Sequence, residues 1–432
     1  MRVVLLSTYD MGRQPFGLAS PAAWLRRAGH DVTCADLAVM PFPAARVRDA
    51  ELVAFHLPMH TATRLAAPLI ERVREINPTA RLCCYGLYAP MNADYLRGLG
   101  VDSILGGEFE ADLVRLAGGE PTVEAGLEKL TFVPPDRHGL PGLERYAKLR
   151  VVNSGARTVG YTEASRGCKH LCRHCPVVPV YQGAFRVVQP QVVLSDIRQQ
   201  VAAGASHITF GDPDFWNGPT HAMRIVEAMH VEFPALTFDA TIKIEHLRKH
   251  RELLPALRDA GCLFVTSAVE SVDDEVLRKL DKGHTRADFV AVAEDFRRVG
   301  LTLTPTFIAF LPWTTRESYA DFLRAIRELD LVANVSPVQL ALRLLIPSGS
   351  RMLELEEIRA LVTGFDSRAL THQWIYPDPE MNALAARVFA LVSMAGQTRE
   401  ETFRAVWKET MHEELDLIAR AAIPYLDEPW YC

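Results

Sequence analysis

The chain of 432 residues contains no apolar run near the ~18 residues that cross a bilayer as a helix, which argues against a helical membrane protein. It also lacks a basic excess. Lys and Arg total 47 against 53 Asp and Glu, a net charge of −6, whereas a general nucleic-acid binder carries the opposite balance. There is no low-complexity tract and no short repeat, so collagen-like and disordered classes fall away. Met1–Ser7 is too short for the core of a signal peptide and reads as a first strand, which predicts a reduced, cytoplasmic protein. Cysteine is scarce. Its eight positions, Cys34, Cys83, Cys84, Cys168, Cys172, Cys175, Cys262 and Cys432, are no disulfide framework in that compartment. What remains is an ordinary globular composition, 49% hydrophobic and 23% charged, long enough for two or three domains.

Strand and helix signals alternate along the chain. Strands are predicted at Val3–Leu6, Asp31–Cys34, Leu52–Phe55, Arg81–Tyr85 and Asp102–Leu105, with a first helix opening at Ser20-Pro21 and ending at Gly29. Such alternation implies a doubly wound, Rossmann-like (flavodoxin-like) α/β domain over 1–116. Turn chemistry, Gly118-Gly119, Pro134-Pro135 and Gly139–Gly142, marks a linker over 117–159. A second βα array of barrel type runs over 160–350, with strands at Ile208–Phe210, Thr237–Ala240, Leu263–Ala268, Thr302–Phe310 and Val338–Leu345. A helical region over 351–432 follows.

The chemistry concentrates in Ser165-Arg166-Gly167-Cys168-Lys169-His170-Leu171-Cys172-Arg173-His174-Cys175. Three thiols at CxxxCxxC spacing, in a loop after the first barrel strand, can hold three irons of a 4Fe–4S cluster and leave the fourth open. The competing reading is a structural zinc or iron–sulfur protein without catalysis. His170 and His174 make a Cys3His zinc site formally available.

The loop resembles the radical S-adenosylmethionine (SAM) superfamily, whose cluster ligands map onto Cys168, Cys172 and Cys175; His174 stands where the family often has a benzenoid aromatic. The resemblance implies a partial (β/α)6 TIM barrel, and SAM chelated at the open iron and reductively cleaved to a carbon radical. It also implies an external electron donor such as flavodoxin or ferredoxin and a small-molecule substrate, with no nucleic acid and no membrane. It makes Gly211, Asp212 and Asp214 the SAM-amine loop and Glu270 a ribose or methionyl contact. Leu280–Thr285 resembles the loop that follows, and Pro347–Ser350 the turn after the sixth strand. Alternation along the strands adds Arg343 for the SAM carboxylate, against a rim salt bridge. It adds Asp239, Thr241 and Lys243 facing SAM or substrate.

Residues 1–116 resemble the cobalamin-binding-like domain of one branch of that superfamily, with Gly106–Glu110 typical of it. Cobalamin stays open, because the Asp-x-His-x-x-Gly motif is absent, some members bind without that His, and others bind none. Cys34, Cys83, Cys84 and Cys262 read as core, and His207, His221, His230 and His246 as structural. Asp427–Cys432 resembles the start of the Cys-Cys/Sec-Ala-Glu-Pro tail of a radical SAM subgroup associated with arsenic natural products, including arsinothricin. That resemblance implies a chain continuing through selenocysteine and a catalytic Cys432. The leading expectation is a transferase moving the 3-amino-3-carboxypropyl group of SAM to a thiophilic acceptor such as arsenite. Cobalamin-dependent methyl or alkyl transfer, and hydrogen abstraction from an organic substrate, are the alternatives.

Overall fold

The protein is described by a computed structural model covering residues 1–151, 155–417 and 423–427. Six parallel strands, β1 (Arg2–Ser7), β2 (Asp31–Asp36), β3 (Leu52–His56), β4 (Arg81–Tyr85), β5 (Ser103–Gly107) and β6 (Ala125–Gly126), form the first sheet in the order β2-β1-β3-β4-β5-β6. β1 and β3 are apolar runs buried almost throughout, as strands covered by helices on both faces must be. The carboxyl ends of β1 and β3–β5 face the second sheet.

The first helix differs from expectation. It opens at Phe16, not Ser20, and carries Pro21 inside. Pro21 has no N–H to give the carbonyl of Gly17 four residues earlier. The Tyr85 hydroxyl at the end of β4 donates to that carbonyl instead, at 2.7 Å. The sheet thus satisfies the group the proline orphans.

The second sheet runs β14-β13-β12-β11-β8-β7-β17. β7 (Lys148–Val151) pairs antiparallel with β8 (Gly155–Thr162). The short β9 (Ser165–Gly167) and β10 (Phe185–Val187) then form a hairpin beside it. β11 (His207–Phe210), β12 (Thr237–Thr241), β13 (Cys262–Glu270) and β14 (Thr302–Phe307) continue parallel to β8 and make the α/β partial barrel. Helices follow β11 (Pro219–Glu232) and β13 (Asp274–Leu280 and Arg286–Val299).

A sixth strand over Val338–Leu345 does not form. Pro337–Leu340 is a 3-10 turn, and one isolated bridge, Phe310 to Arg343, marks the sixth place. The Gln339 side chain, not a strand backbone, accepts the Phe307 N–H at 2.9 Å. Without the strand, the alternation that turned Arg343 inward is lost. The carboxyl-terminal region is not wholly helical either. β15 (Val362–Asp366) and β16 (Thr371–Trp374) form a two-stranded sheet before the helices Pro379–Val392 and Arg399–Met411. β17 (Tyr425–Leu426) then pairs with β7. Among the described residues no helix is long and apolar enough to cross a membrane.

Tyr85→Phe leaves the Gly17 carbonyl buried without a donor. The expected cost is about 1–3 kcal/mol in urea-unfolding free energy.

Candidate active site

The cysteine loop leaves β9 at Gly167, which has φ +68 and where a Cβ would lie 2.3 Å from the Ala184 carbonyl oxygen; only glycine fits. The loop is then tied to several elements. Lys169 Nζ donates to the Asn217 carbonyl at 2.6 Å, and the Arg173 N–H to the Leu280 carbonyl at 2.9 Å. Arg351 donates to the Leu171 carbonyl at 2.5 Å. Cys168 and Cys172 are buried and Cys175 is partly so. Among the described residues, the three donor atoms drawn within 4.8 Å of one another are those of His170, Asp214 and His246, not the three thiols. One tetrahedral zinc, with Zn–S near ~2.3 Å, needs a tighter set, whereas a larger inorganic body does not.

The surroundings of the thiols are cationic. Lys243 Nζ lies 3.8 Å from Cys172 Sγ and 3.4 Å from Glu245. Lys282, buried, lies 3.3 Å from Glu270 Oε1, and His174 Nε2 reaches the same oxygen at 3.1 Å. Burial pushes the Glu270 carboxyl up, but Lys282 and His174 outweigh it and hold it at about 2. Glu270 has φ +70 at the bulged end of β13, an uncommon conformation for a residue with a side chain. Burial pushes the Cys175 thiol up to about 12. A metal there must displace its proton.

Of the expected SAM loop, Gly211 is demanded by packing, since a Cβ would meet Tyr161 Oη. The Asp212 carboxylate accepts from the Ala164 N–H at 2.9 Å and from the Ser165 hydroxyl; burial pushes it up to about 7. Asp214 is fully buried, accepts from the Lys243 N–H at 3.3 Å and lies 2.7 Å from His246 Nδ1. His246 Nε2 in turn meets His170 Nε2 at 3.2 Å. His246, read as structural from its lack of spacing to other histidines, thus braces the cysteine loop from 76 residues away. Arg343 is a correction. It is exposed, lies 3.9 Å over the Trp374 ring and donates to the Trp374 carbonyl, away from the other site residues. Cys432 lies outside the described residues.

Sequence reasoning did not single out Lys282 or His284. Both sit in the Leu280–Thr285 segment, whose resemblance was visible but whose side chains were not assigned. His284 is buried, and neither ring nitrogen has a partner. Burial, with Lys282 and Lys243 nearby, pushes it down to about 4.

The two sheets meet at the cysteine hairpin. Arg166 of β9 reaches Glu110 Oε1 at 2.6 Å, Glu163 at 2.8 Å and Glu108 at 3.3 Å, all from a buried position. Beside it lies a cavity of about 180 Å³, lined by Phe16, His56, Phe109, Tyr161, Arg166 and Tyr181. His56 is buried and its Nδ1 has no partner. Burial, then Arg166, pushes it down to about 3.

Residues 162–326 match the radical SAM superfamily. The matched part takes in the cysteine loop and strands β9–β14. The curated relatives include the hopanoid C-3 methylase of Methylococcus capsulatus, 25% identical over 345 residues, 75% of this chain and 66% of that one. A tRNA-2-methylthio-N(6)-dimethylallyladenosine synthase of Flavobacterium psychrophilum is 23% identical, over 58% of this chain and 55% of that one. The chain spans less than two thirds of the length of these relatives. Among solved structures, the cobalamin-dependent SAM radical enzyme OxsB, with aqua-cobalamin and SAM bound, superposes with TM-score 0.71. The match has 13% identity and covers 94% of this chain and 70% of that one. The radical SAM methyltransferase TsrM from Kitasatospora setae gives 0.65 at 16% identity, covering 95% of both chains. The α/β fold with its partial barrel is therefore shared with cobalamin-dependent radical SAM structures. Superfamily members work with a 4Fe–4S cluster and SAM, and the wide, buried, cation-flanked thiols suit that pair. A corrin is larger than the drug-sized ligands whose pockets run to ~300–1,000 Å³. The interface cavity, only partly enclosed, does not surround a corrin as it stands.

Two outcomes are expected. His246→Ala removes the brace on the loop, and iron incorporated on anaerobic reconstitution should fall while the far-ultraviolet circular dichroism stays unchanged. His56 is held neutral well below the ordinary value of 6.5. Its folded form binds fewer protons, so stability is full above pH 6.5 and is lost as pH falls toward 3. His56→Gln should flatten that decline in urea titrations of the metal-free protein by up to about 1.4 kcal/mol per pH unit.

Proposed function

We propose that the chain is a radical SAM transferase in which Cys168, Cys172 and Cys175 hold a 4Fe–4S cluster. The observation that carries this is the set of three thiols, two buried and one partly so, too widely spaced for one ion and facing Lys243 and Lys282. When bound, the reduced cluster supplies the electron that breaks a carbon–sulfur bond of SAM. The chain's own residues do the rest. Lys243 and Lys282 place positive charge against the thiolates and favour their ionised form. Glu270 and His174 fix Lys282, and Glu270, held ionised at the end of β13, is the acceptor we assign to the SAM end of the pocket. Gly211, Asp212 and Asp214 act by shape and support. Gly211 lets Tyr161 close against the backbone, Asp212 pins the start of β9, and Asp214 pins Lys243 and His246. We infer a cytoplasmic enzyme with a flavodoxin- or ferredoxin-type donor.

For the group moved, the finer proposal is the 3-amino-3-carboxypropyl group, delivered to a thiophilic acceptor such as arsenite; it rests on the tail resemblance at Cys432. The second reading is methyl or alkyl transfer with cobalamin. It is favoured by the likeness to OxsB and TsrM and by the unpartnered His56 Nδ1 at the sheet interface.

The test is the nucleoside formed on anaerobic reduction of reconstituted protein with SAM, read by mass spectrometry with and without arsenite and hydroxocobalamin. Methylthioadenosine formed with arsenite supports aminocarboxypropyl transfer. S-adenosylhomocysteine formed only with cobalamin supports the second reading. 5′-Deoxyadenosine alone overturns both in favour of hydrogen abstraction. Cys168→Ser, Cys172→Ser and Cys175→Ser should each lose most of the iron and at least ~100-fold in SAM cleavage, about 2.7 kcal/mol in barrier. Zinc without iron in the wild type would overturn the cluster assignment.

A further inference from the structure

The inside of the partial barrel is more polar than a structural core. Strand register stacks its inward side chains in layers: Tyr161, Thr209, Asp239 and Phe264 lie side by side, and above them Thr241, Thr266 and Thr304. All of these but Tyr161 line a cavity of about 290 Å³, which Gly211, Asp212, Arg399 and Tyr425 also line. Buried hydroxyls and charges are costly unless something pairs with them.

Two groups that line it, Asp239 and Arg399, keep bonding capacity that the described residues do not use. Asp239 is buried, and both of its hydrogen bonds, from His207 Nε2 at 2.9 Å and from the Thr209 hydroxyl at 2.6 Å, end on Oδ1. Oδ2 has no protein partner among the described residues. Arg399, at the first turn of its helix, donates to the Ala333 carbonyl at 2.7 Å and lies 5.1 Å from the Tyr425 ring centre. No carboxylate among the described residues lies within ion-pair distance of its guanidinium. Desolvation works against its charge, and the aromatic face offsets only part of that. One cavity thus presents a carboxylate oxygen without a partner among the described residues and a guanidinium with one nitrogen held by the Ala333 carbonyl, together with threonine hydroxyls.

We propose that the barrel lumen is the binding site for a small zwitterionic substrate, a free α-amino acid. Its ammonium group pairs with Asp239 Oδ2, its carboxylate takes the Arg399 fork, and Thr241, Thr266 and Thr304 bind what remains polar. A guanidinium fork matches a carboxylate bidentately, and a buried carboxylate prefers a cationic donor. The size agrees, since the cavity falls at the low end of small-molecule pockets, ~300 Å³. This deepens the second, methyl or alkyl form of the transferase reading, whose acceptor is unnamed above, by giving that acceptor's chemical class; it rests on that reading for the reaction but not for the binding.

The experiment is calorimetric titration of the reconstituted holoenzyme, with SAM saturating, by each of the twenty L-α-amino acids. The decarboxylated amine and the N-acetyl derivative of any that binds serve as controls. The expected result is one or a few amino acids binding, with both controls weaker by about tenfold or more. Arg399→Met and Asp239→Asn should each weaken the same ligand about tenfold or more without lowering iron content, and Arg399→Lys should recover part of the loss. Should either of the first two fail to fold, Thr266→Val and Thr304→Val probe the same lumen and should weaken binding about threefold or more. No binding by any of the twenty, equal binding by the amine, or Arg399→Met binding as wild type would each overturn the proposal. The nucleoside assay on the same preparation separates the two readings. SAM cleavage without amino-acid binding refutes the lumen assignment alone, and binding without SAM cleavage refutes the transferase reading alone.

Discussion

Arg166 is the joint on which this molecule turns. One guanidinium, buried in the hairpin that launches the cysteine loop, bonds to Glu108 and Glu110 at the start of the helix after β5 and to Glu163 just past β8. The phenyl rings of Phe132, Phe109 and Phe16 surround it at 4.9, 5.3 and 5.8 Å. Removing one member of such a set leaves charge buried without a partner, which costs about 3–5 kcal/mol. The residue that docks the first sheet therefore lies two positions before Cys168. The carboxyl ends of that sheet and the first thiol cannot shift independently, and what packs against the interface is felt at the loop.

Around the thiols the balance of charge decides the chemistry. Burial alone raises the Cys175 and Cys168 thiols and disfavours the ionised form that binds metal. Lys243 and Lys282 oppose that burial, and Glu270 with His174 keeps Lys282 charged in place. Behind the loop, Asp214, His246 and His170 form a second brace. The arrangement is stiff on the protein side and charged on the side where the proposed cluster and SAM would sit. That division matches catalysis by preorganised electrostatics.

Two spaces flank this centre and differ in character. The interface cavity is small, aromatic and crossed by the Arg166 set, with the neutral His56 as its spare ligand atom. The barrel lumen is larger and lined by polar side chains, with Asp239 Oδ2 and part of the Arg399 guanidinium unused among the described residues. Gly211 and Tyr161 stand where the two come together, because the absent Cβ of Gly211 is what lets the Tyr161 hydroxyl close the gap. The fold shared with OxsB and TsrM accounts for the two-sheet plan. The contents of the two spaces belong to this chain.

Much of this was legible in the order of residues. Apolar runs bounded by Gly and Asp placed the parallel strands, Arg81–Tyr85 to the residue, because burial on both faces leaves an uninterrupted hydrophobic signal. The spacing of Cys168, Cys172 and Cys175 was local, so it pointed to the chemistry directly. Pro21 misled about the first helix, because its missing N–H is made good by Tyr85, 64 residues away. Arg343 misled because alternation has meaning only in a strand, and the Gln339 side chain took the bond a strand would have made. His246, Lys282 and Arg399 carried no local signal; their roles come from partners on other elements. The sequence by itself determined the two α/β halves and the thiol loop, since both rest on short-range periodicity and spacing. Only the tertiary structure decided which charges meet those thiols, which polar groups the lumen leaves unpaired and how little room the interface keeps, because each is a sum over residues far apart in the chain.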